Sequence, residues 1–496
     1  MDESLYVAAD LGAGSGRVFL AGIGSGHWRF EELRRFHYPP VEHRDHLRWD
    51  VPRILDEIKA GLRSSGIRAA AIGRRIASIG VDSWGVDYGL VDEKGQLVEL
   101  PICYRDHRTA GVMEQVFERV PRSEIVARTG AQCLPINTVY QLFAHAREGI
   151  TSQAERLLLI PDLLHAHLTQ QQVTEFTNAT TTQLVNPRDG QWDLGLVEKL
   201  GLPAHLFTPI VPAGHVVGPL APDIARDLAL PDVHVVAPAT HDTGSAVAGT
   251  PLGDGWAYVS SGTWSLVGIE RAEVLVNVKA ERHNFTNEGG AFGTIRFLKN
   301  VMGLWILEAC RREWVTAGMS LSYDDLLSRV ATMPASPGAI YPDDPRLLNP
   351  PSMMTALNTQ LTETGQGRTS DPVTVARIVL DSLALRYASV VRAIAEVTGE
   401  PVSGIHIVGG GSRNDYLNQA TASASGLPVA AGPSEATAIG NVLVQAITDG
   451  RFQSLQRARD YMREHVHLRT FLPEPTCAFD SLARRYEEVE AQFAQA

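Results

Sequence analysis

Two periods of apolar and polar residues interleave along the chain. Short β-branched runs such as Tyr6-Val-Ala-Ala, Ile76–Val81 and Val233-His-Val-Val read as strands. Amphipathic stretches over 52–64, 109–120 and 137–148 carry the helical period. Strand and helix patterns alternate throughout, which predicts an α/β protein. The first strand ends at Asp10 and turns through Gly12-Ala-Gly-Ser-Gly16 into a second, Arg17-Val-Phe-Leu-Ala. Val86–Val91 and Leu97–Leu100 flank Asp92-Glu-Lys-Gly95 as a hairpin.

The opening pattern returns in the second half. Trp256-Ala-Tyr-Val-Ser-Ser leads through Gly262-Thr-Trp-Ser into Leu266-Val-Gly-Ile-Glu, again strand, polar turn, strand. That spacing is too long for a solenoid repeat and predicts two domains of related topology. The breakers Thr250-Pro-Leu-Gly-Asp-Gly255 place a boundary there, giving domains 1–250 and 251–475 and a helical tail, 476–496. A Pro-rich polar stretch over 334–373 reads as an irregular surface excursion.

Composition narrows the function classes. At 496 residues, more than one core is expected. The formal charge of −12 argues against a phosphate-backbone surface, and hence against nucleic acid as a partner. No apolar run is long enough to span a bilayer, and the acidic N-terminus does not resemble a leader. Cys103, Cys133, Cys310 and Cys477 form no Cys-x-x-Cys pair, which suits a reducing compartment and predicts a cytoplasmic protein.

Four segments carry candidate chemistry. Gly12, Gly14 and Gly16 would let backbone amides approach a phosphate, and Ser15 adds a hydroxyl donor. No Gly-Lys-Ser/Thr follows, so this is not a Walker A loop; a strand follows instead of a helix, so it is not a Rossmann fingerprint. A plain glycine hairpin fits the same residues. His241-Asp242-Thr243 ends a buried strand, where open α/β sheets place ligands. Asp242 there could take a hydroxyl proton, or simply cap the following helix. Thr263 lies in the second-half turn, where amides and its hydroxyl could hold a phosphate. Gly409-Gly410-Gly411 ends another strand, with bare backbone for a flat base or for a tight turn.

Taken in order, the motifs Asp-x-Gly-x-x-x-Gly-Arg, Asp-Ser-Trp-Gly-Val-Asp, Tyr-Arg-Asp-x-Arg, His-Asp-Thr, Ser-Ser-Gly-Thr-Trp-Ser, Gly-Gly-Gly and Glu-Ala-Thr-Ala-x-Gly-Asn resemble the FGGY carbohydrate kinases. The likeness runs from about residue 5 to 475. It implies two ribonuclease H-like domains of the actin/hexokinase/Hsp70 superfamily, with the active site in the interdomain cleft. It implies ATP and Mg2+ as cofactors and a small-molecule sugar and ATP as partners, with no membrane partner and either a monomer or a dimer. L-rhamnulose is the sugar it points to first, with L-fuculose or L-xylulose as rivals; a non-catalytic sugar or nucleotide sensor is the alternative of another class.

Roles follow where motifs match. Ala13, Gly14, Ser15, Gly16 and Arg17 would form the first phosphate loop, with Asp10 near the metal. Gly85, His241, Asp242 and Thr243 would line the sugar pocket, Asp242 as proton acceptor. Thr263 would contact phosphate, Asn300 the ligand, and Gly410 the adenosine end. Asn300 is expected on a helix beside Met302, Leu304 and Ile306. Glu308 stands where the family pattern suggests Gln, so no nucleotide contact is assigned to it.

Overall fold

The computed structural model describes residues 3–24, 26–319, 321–474 and 477–493. It divides into two compact units, neither contiguous in sequence. One joins Met1–Pro251, Glu270–Phe297 and Ala436–His465; the other joins Leu252–Ile269, Leu298–Glu435 and Val466–Ala496. The chain thus passes between the units several times, where the breaker cluster near residue 250 marked a single passage. Cys477–Phe493 is a helix of the second unit, held by buried Leu482 and Tyr486 beside Ala339 and Leu385, and not an appended tail.

In the first unit the sheet runs His215–Pro219, His234–Ala237, Ile76–Ser83, Ser4–Gly12, Ser15–Gly24, His27–His37. Ser4–Gly12 is parallel to Ile76–Ser83 and antiparallel to Ser15–Gly24. The near-continuous burial of Leu5–Leu11 is what a central strand covered on both faces requires. A separate seven-stranded sheet, most of it in the second unit, runs Thr286–Gly289, Ile295–Met302, Trp264–Arg271, Trp256–Ser261, Gly404–Val408, Val429–Ala431, Arg469–Phe471. Trp256–Ser261 is antiparallel to Trp264–Arg271 and parallel to Gly404–Val408. The hairpin-then-parallel order is the same in both, the ribonuclease H-like arrangement.

Three local patterns differ from expectation, each for a physical reason. Tyr88–Val91 pairs with the distant strand Arg156–Leu159, and Leu97 keeps only a single bridge to Val91. The turn between them survives because Asp92 Oδ1 accepts from Lys94 N and Gln96 N, both at 2.9 Å. The 334–373 stretch contains the helix Met353–Glu363, anchored by buried Met353, Leu357 and Leu361, with Ile340 and Leu347 also buried. Its prolines hid those anchors. Val51–Ala71 is longer than the 52–64 pattern, since Asp50 caps it and its last turns are small and polar.

Helix Ala436–Thr448 belongs to the first unit because glycines let it touch helix Asp242–Ala248. A Cβ at Gly440 would lie 1.8 Å from the Ser245 carbonyl oxygen, and one at Gly249 2.2 Å from that of Ala436. Both obstacles are backbone, so neither can swing aside. Gly440→Ala is therefore expected to cost about 1–3 kcal/mol through forced separation of the helices. Scanning calorimetry should show a lowered Tm; an unchanged Tm would mean that this contact is not tight.

Candidate active site

Parallel register brings the carboxylates together. Asp10 and Asp82 are Cα partners on neighbouring strands, and Ser83 bridges to His241 with Ser83 N donating to Thr240 O at 2.9 Å. Three strand ends therefore deliver Asp10, Asp82 and His241-Asp242 to one edge of the sheet. Asp10 runs on into the hairpin, since its strand continues to Gly12. There its Cα partner is Arg17, whose Nη2 donates to Asp10 Oδ2 at 2.7 Å.

The glycine hairpin is built to leave its turn open. Gly14 has φ 133, and a side chain there would meet nothing within 4 Å. A Cβ at Gly16, by contrast, would strike Phe36 at 2.5 Å. Tyr38, buried beneath, donates its hydroxyl to Gly12 O at 2.6 Å, while its backbone N–H donates to Gly14 O at 2.9 Å. Ala13, Gly14 and Arg17 are half-buried, and Ser15 is exposed.

Asp82 is fully buried. Its Oδ2 accepts from Asn441 Nδ2 at 2.6 Å, while Oδ1 has no hydrogen-bond partner among the described residues. Asn441 Oδ1 in turn accepts from Gln445 Nε2 at 2.7 Å, and Gln445 is fixed by Ser78 and by Val7 O. Gly80 makes room for that amide, since a Cβ would lie 2.4 Å from Asn441 Oδ1. Burial pushes the Asp82 carboxyl well above the ordinary range, and the charges of Asp10 and Asp242 add to that; Asn441 and Arg17 oppose it.

Asp242 is the first helical residue of Asp242–Ala248, and His241 occupies the cap position without a side-chain capping bond. The capping alternative is thereby corrected: among the described residues Asp242 Oδ1 accepts only from its neighbour, Thr243 N at 2.6 Å and Thr243 Oγ1 at 3.3 Å. Its side chain keeps 27% exposure. Burial raises its carboxyl, opposed first by His241, then by Thr243 and Arg296. The loop is fixed from below by buried Glu175, which accepts from Thr240 N and Oγ1 and from Thr177 N and Oγ1.

Gly85 stands in a strained turn. A Cβ there would lie 2.9 Å from Thr181 Cγ2, and the next residue, Val86, has φ 69, a region that disfavours a β-branched side chain. Val86 N donates to Thr181 Oγ1 at 3.0 Å, and its carbonyl accepts from Thr138 Oγ1 at 2.7 Å. Beyond it, fully buried Asp87 accepts from the Trp49 and Trp84 indoles at 2.6 and 3.0 Å and from Gln141 Nε2 at 3.0 Å. These bonds hold the strained turn in one shape.

In the second unit, Thr263 is exposed at the tip of its turn. Thr263 O accepts from Gly303 N and Trp305 N, and Gly262 O from Leu304 N. Asn300 lies on the strand Ile295–Met302, not on a helix; Ile295–Leu298 is buried without a break, as in a strand covered on both faces. Gly409 and Gly411 pack against Ser261, where Cβ atoms would come within 2.9 and 2.0 Å. Gly410 is exposed with open space above it. Thr263, Asn300 and Gly410 thus gather near the carboxyl end of Trp256–Ser261. Glu308 is exposed and pairs with Arg311 Nη1 at 2.8 Å.

Sequence reasoning assigned no role to Asp82, Asn441, Glu288 or Arg296. Asp82 and Asn441 stood inside quoted motifs, Asp-Ser-Trp-Gly and Ala-x-Gly-Asn, and only strand register shows that they face each other. Neither Glu288 nor Arg296 stood in any of those motifs.

Known proteins match this chain along most of its length. The model of the FGGY family of carbohydrate kinases, N-terminal domain, matches residues 5–249, and that of the C-terminal domain matches 257–448. The chain is similar to a rhamnulokinase of Bacteroides thetaiotaomicron, 40% identical over 96% of this chain and 97% of that protein. It is also similar to a rhamnulokinase of Klebsiella pneumoniae, 42% identical over 95% of this chain and 94% of that protein. Among solved structures, gluconate kinase from Lactobacillus acidophilus superposes with a TM-score of 0.82 at 16% identity, covering 100% of this chain and 99% of that one. At that identity the likeness speaks for the fold.

The crowding of carboxylates has a measurable consequence. A buried carboxyl whose folded-state pKa is raised favours folding when protonated, and that benefit is lost as pH rises through the folded-state value. Asp82→Asn, which keeps an oxygen for Asn441, is expected to raise the Tm of the ligand-free protein by a few degrees at pH 8 and by less at pH 5. Calorimetry at the two pH values checks this; destabilisation at both would refute the repulsion.

Proposed function

The chain belongs to the FGGY family of carbohydrate kinases, and from that premise we propose that it phosphorylates L-rhamnulose on the 1-hydroxyl, using ATP, in L-rhamnose catabolism. The chemistry rests on one observation above others: Asp242 is the partly exposed member of a carboxylate cluster at the strand ends. The choice of sugar rests on relatives named rhamnulokinase that match nearly the whole chain at 37–42% identity.

Phosphoryl transfer asks for a placed nucleophile, a proton acceptor and neutralised charge. In this reading Asp242 takes the proton of the 1-hydroxyl as that oxygen bonds to the γ-phosphorus. The bond from phosphorus to the β,γ-bridging oxygen breaks, and ADP leaves with those electrons. Asp242's raised carboxyl makes it a better acceptor than an ordinary aspartate. Gly85, His241 and Thr243 hold the sugar, with the strained turn at Val86 fixing Gly85 in advance. The amides of Ala13 to Gly16 and the Arg17 side chain hold phosphate in the first unit. Thr263 takes phosphate, Asn300 the ligand, and Gly410 the adenosine in the second.

The residues also fit magnesium. Asp10's carboxylate and the partnerless Asp82 Oδ1 are hard oxygen donors, and a cation beside them would relieve their repulsion. Asp10, with Asp82 behind it, would hold the ion, which when bound supplies positive charge to the phosphates. No helix among the described residues is long and apolar enough to cross a membrane. We place the enzyme in the cytoplasm.

Asp242→Asn is expected to keep sugar and ATP binding while turnover falls about 10²–10⁴-fold. ADP release across L-rhamnulose, L-fuculose and L-xylulose checks both parts. Near-normal turnover of the variant would remove Asp242 as the base, and release with another sugar alone would reassign the substrate.

A further inference from the structure

His241 is gripped on the edge facing away from Asp242. Its Nδ1 lies 3.1 Å from Arg296 Nη2 and 3.2 Å from Glu288 Oε2, and those two atoms lie 3.1 Å from each other. On the opposite edge, Nε2 lies 3.5 Å from Asp242 Oδ1. The grip is rigid. Arg296 is fully buried and its Nε donates to Gly289 O at 2.8 Å, while Gly289 N donates to Thr180 Oγ1 at 2.8 Å. A Cβ at Gly289 would strike Phe176 at 2.6 Å, so this strand is pressed directly against the short helix Phe176–Ala179, whose Thr177 Oγ1 accepts from His241 N at 3.1 Å.

A buried Arg–Glu pair is poor value as a stabiliser, because desolvation offsets much of the attraction. Its position against a ring nitrogen gives it another use. Arginine has no acceptor and keeps its protons, so Arg296 Nη2 at 3.1 Å favours a bare Nδ1, whereas Glu288 Oε2 at 3.2 Å would accept from a protonated one. That Glu288 oxygen is itself paired with the guanidinium at 3.1 Å, which leaves the guanidinium as the partner of Nδ1. We propose that Glu288 and Arg296 are positioning residues that hold His241 as the Nε2–H tautomer, aiming one donor at Asp242 Oδ1 and the sugar oxygen beside it. Asp242 then keeps its other oxygen for the incoming proton. The inference rests on Asp242 acting as the base.

The test joins imidazole 15N NMR of the full-length protein to kinetics of Glu288→Gln and Arg296→Lys. In the unaltered protein His241 should show the Nε2–H pattern. Both variants should mix tautomers and lose about 10- to 100-fold in kcat, with the sugar KM changed by less than about threefold. An Nδ1–H pattern in the unaltered protein overturns the proposal. So does unaltered kcat per folded molecule in Glu288→Gln, even with a lowered Tm, since that is what a purely structural pair would give. Should Arg296→Lys fail to fold, Glu288→Gln and the tautomer still decide. An active Asp242→Asn would remove the base itself, whereas an inactive one beside fully active Glu288→Gln and Arg296→Lys would remove only this inference.

Discussion

Carboxylates set side by side at the ends of parallel strands repel one another, and the first unit is organised around that repulsion. Asp10 and Asp82 are register partners, and Asp242 acts electrostatically on the same buried group. Water cannot reach Asp82, so its charge must be met from the protein. Asn441 meets one oxygen, and a chain of amides and hydroxyls through Gln445 and Ser78 fixes Asn441. That helix reaches the strand ends only because Gly440 and Gly249 let two helices touch at backbone distance. A segment near the end of the sequence is thus drawn back into the first unit to answer a charge near its beginning.

The other oxygen of Asp82 is left over. A protein built for stability alone would fill that place with an apolar side chain or an amide, at less cost. The surplus carboxylate makes sense where a cation and a triphosphate arrive together and the cluster's charge is balanced by the ligand. The strain at Val86 has the same character: an unfavourable backbone held by Thr138, Thr181 and buried Asp87 beside the residue assigned to the sugar.

Much of this was legible in residue order. Glycines between two apolar runs marked both hairpins, and His-Asp-Thr after a buried strand marked the sheet edge where Asp10 and Asp82 also stand. What could not be read was pairing across sequence distance. Asp82 and Asn441 are separated by most of the chain, and only parallel register and a glycine contact bring them together. Asn300 was expected on a helix because the apolar residues after it suit that period, whereas the unbroken burial of Ile295–Leu298 before it belongs to a strand covered on both faces. Arg296 is fully buried on that strand, where a charged residue looks like an interruption and is in fact its contact with His241. The prolines of 334–373 concealed a helix because its buried anchors are few and widely spaced.

Asp242 as a proton acceptor means that the sugar oxygen attacks phosphorus directly, with no phosphoryl group resting on the protein. The stereochemical course at phosphorus reports this without any variant. ATP made chiral at the γ-phosphoryl group with three oxygen isotopes, turned over with L-rhamnulose, should give a sugar phosphate of inverted configuration. Retention would require two displacements and a covalent intermediate, and would contradict the role assigned to Asp242.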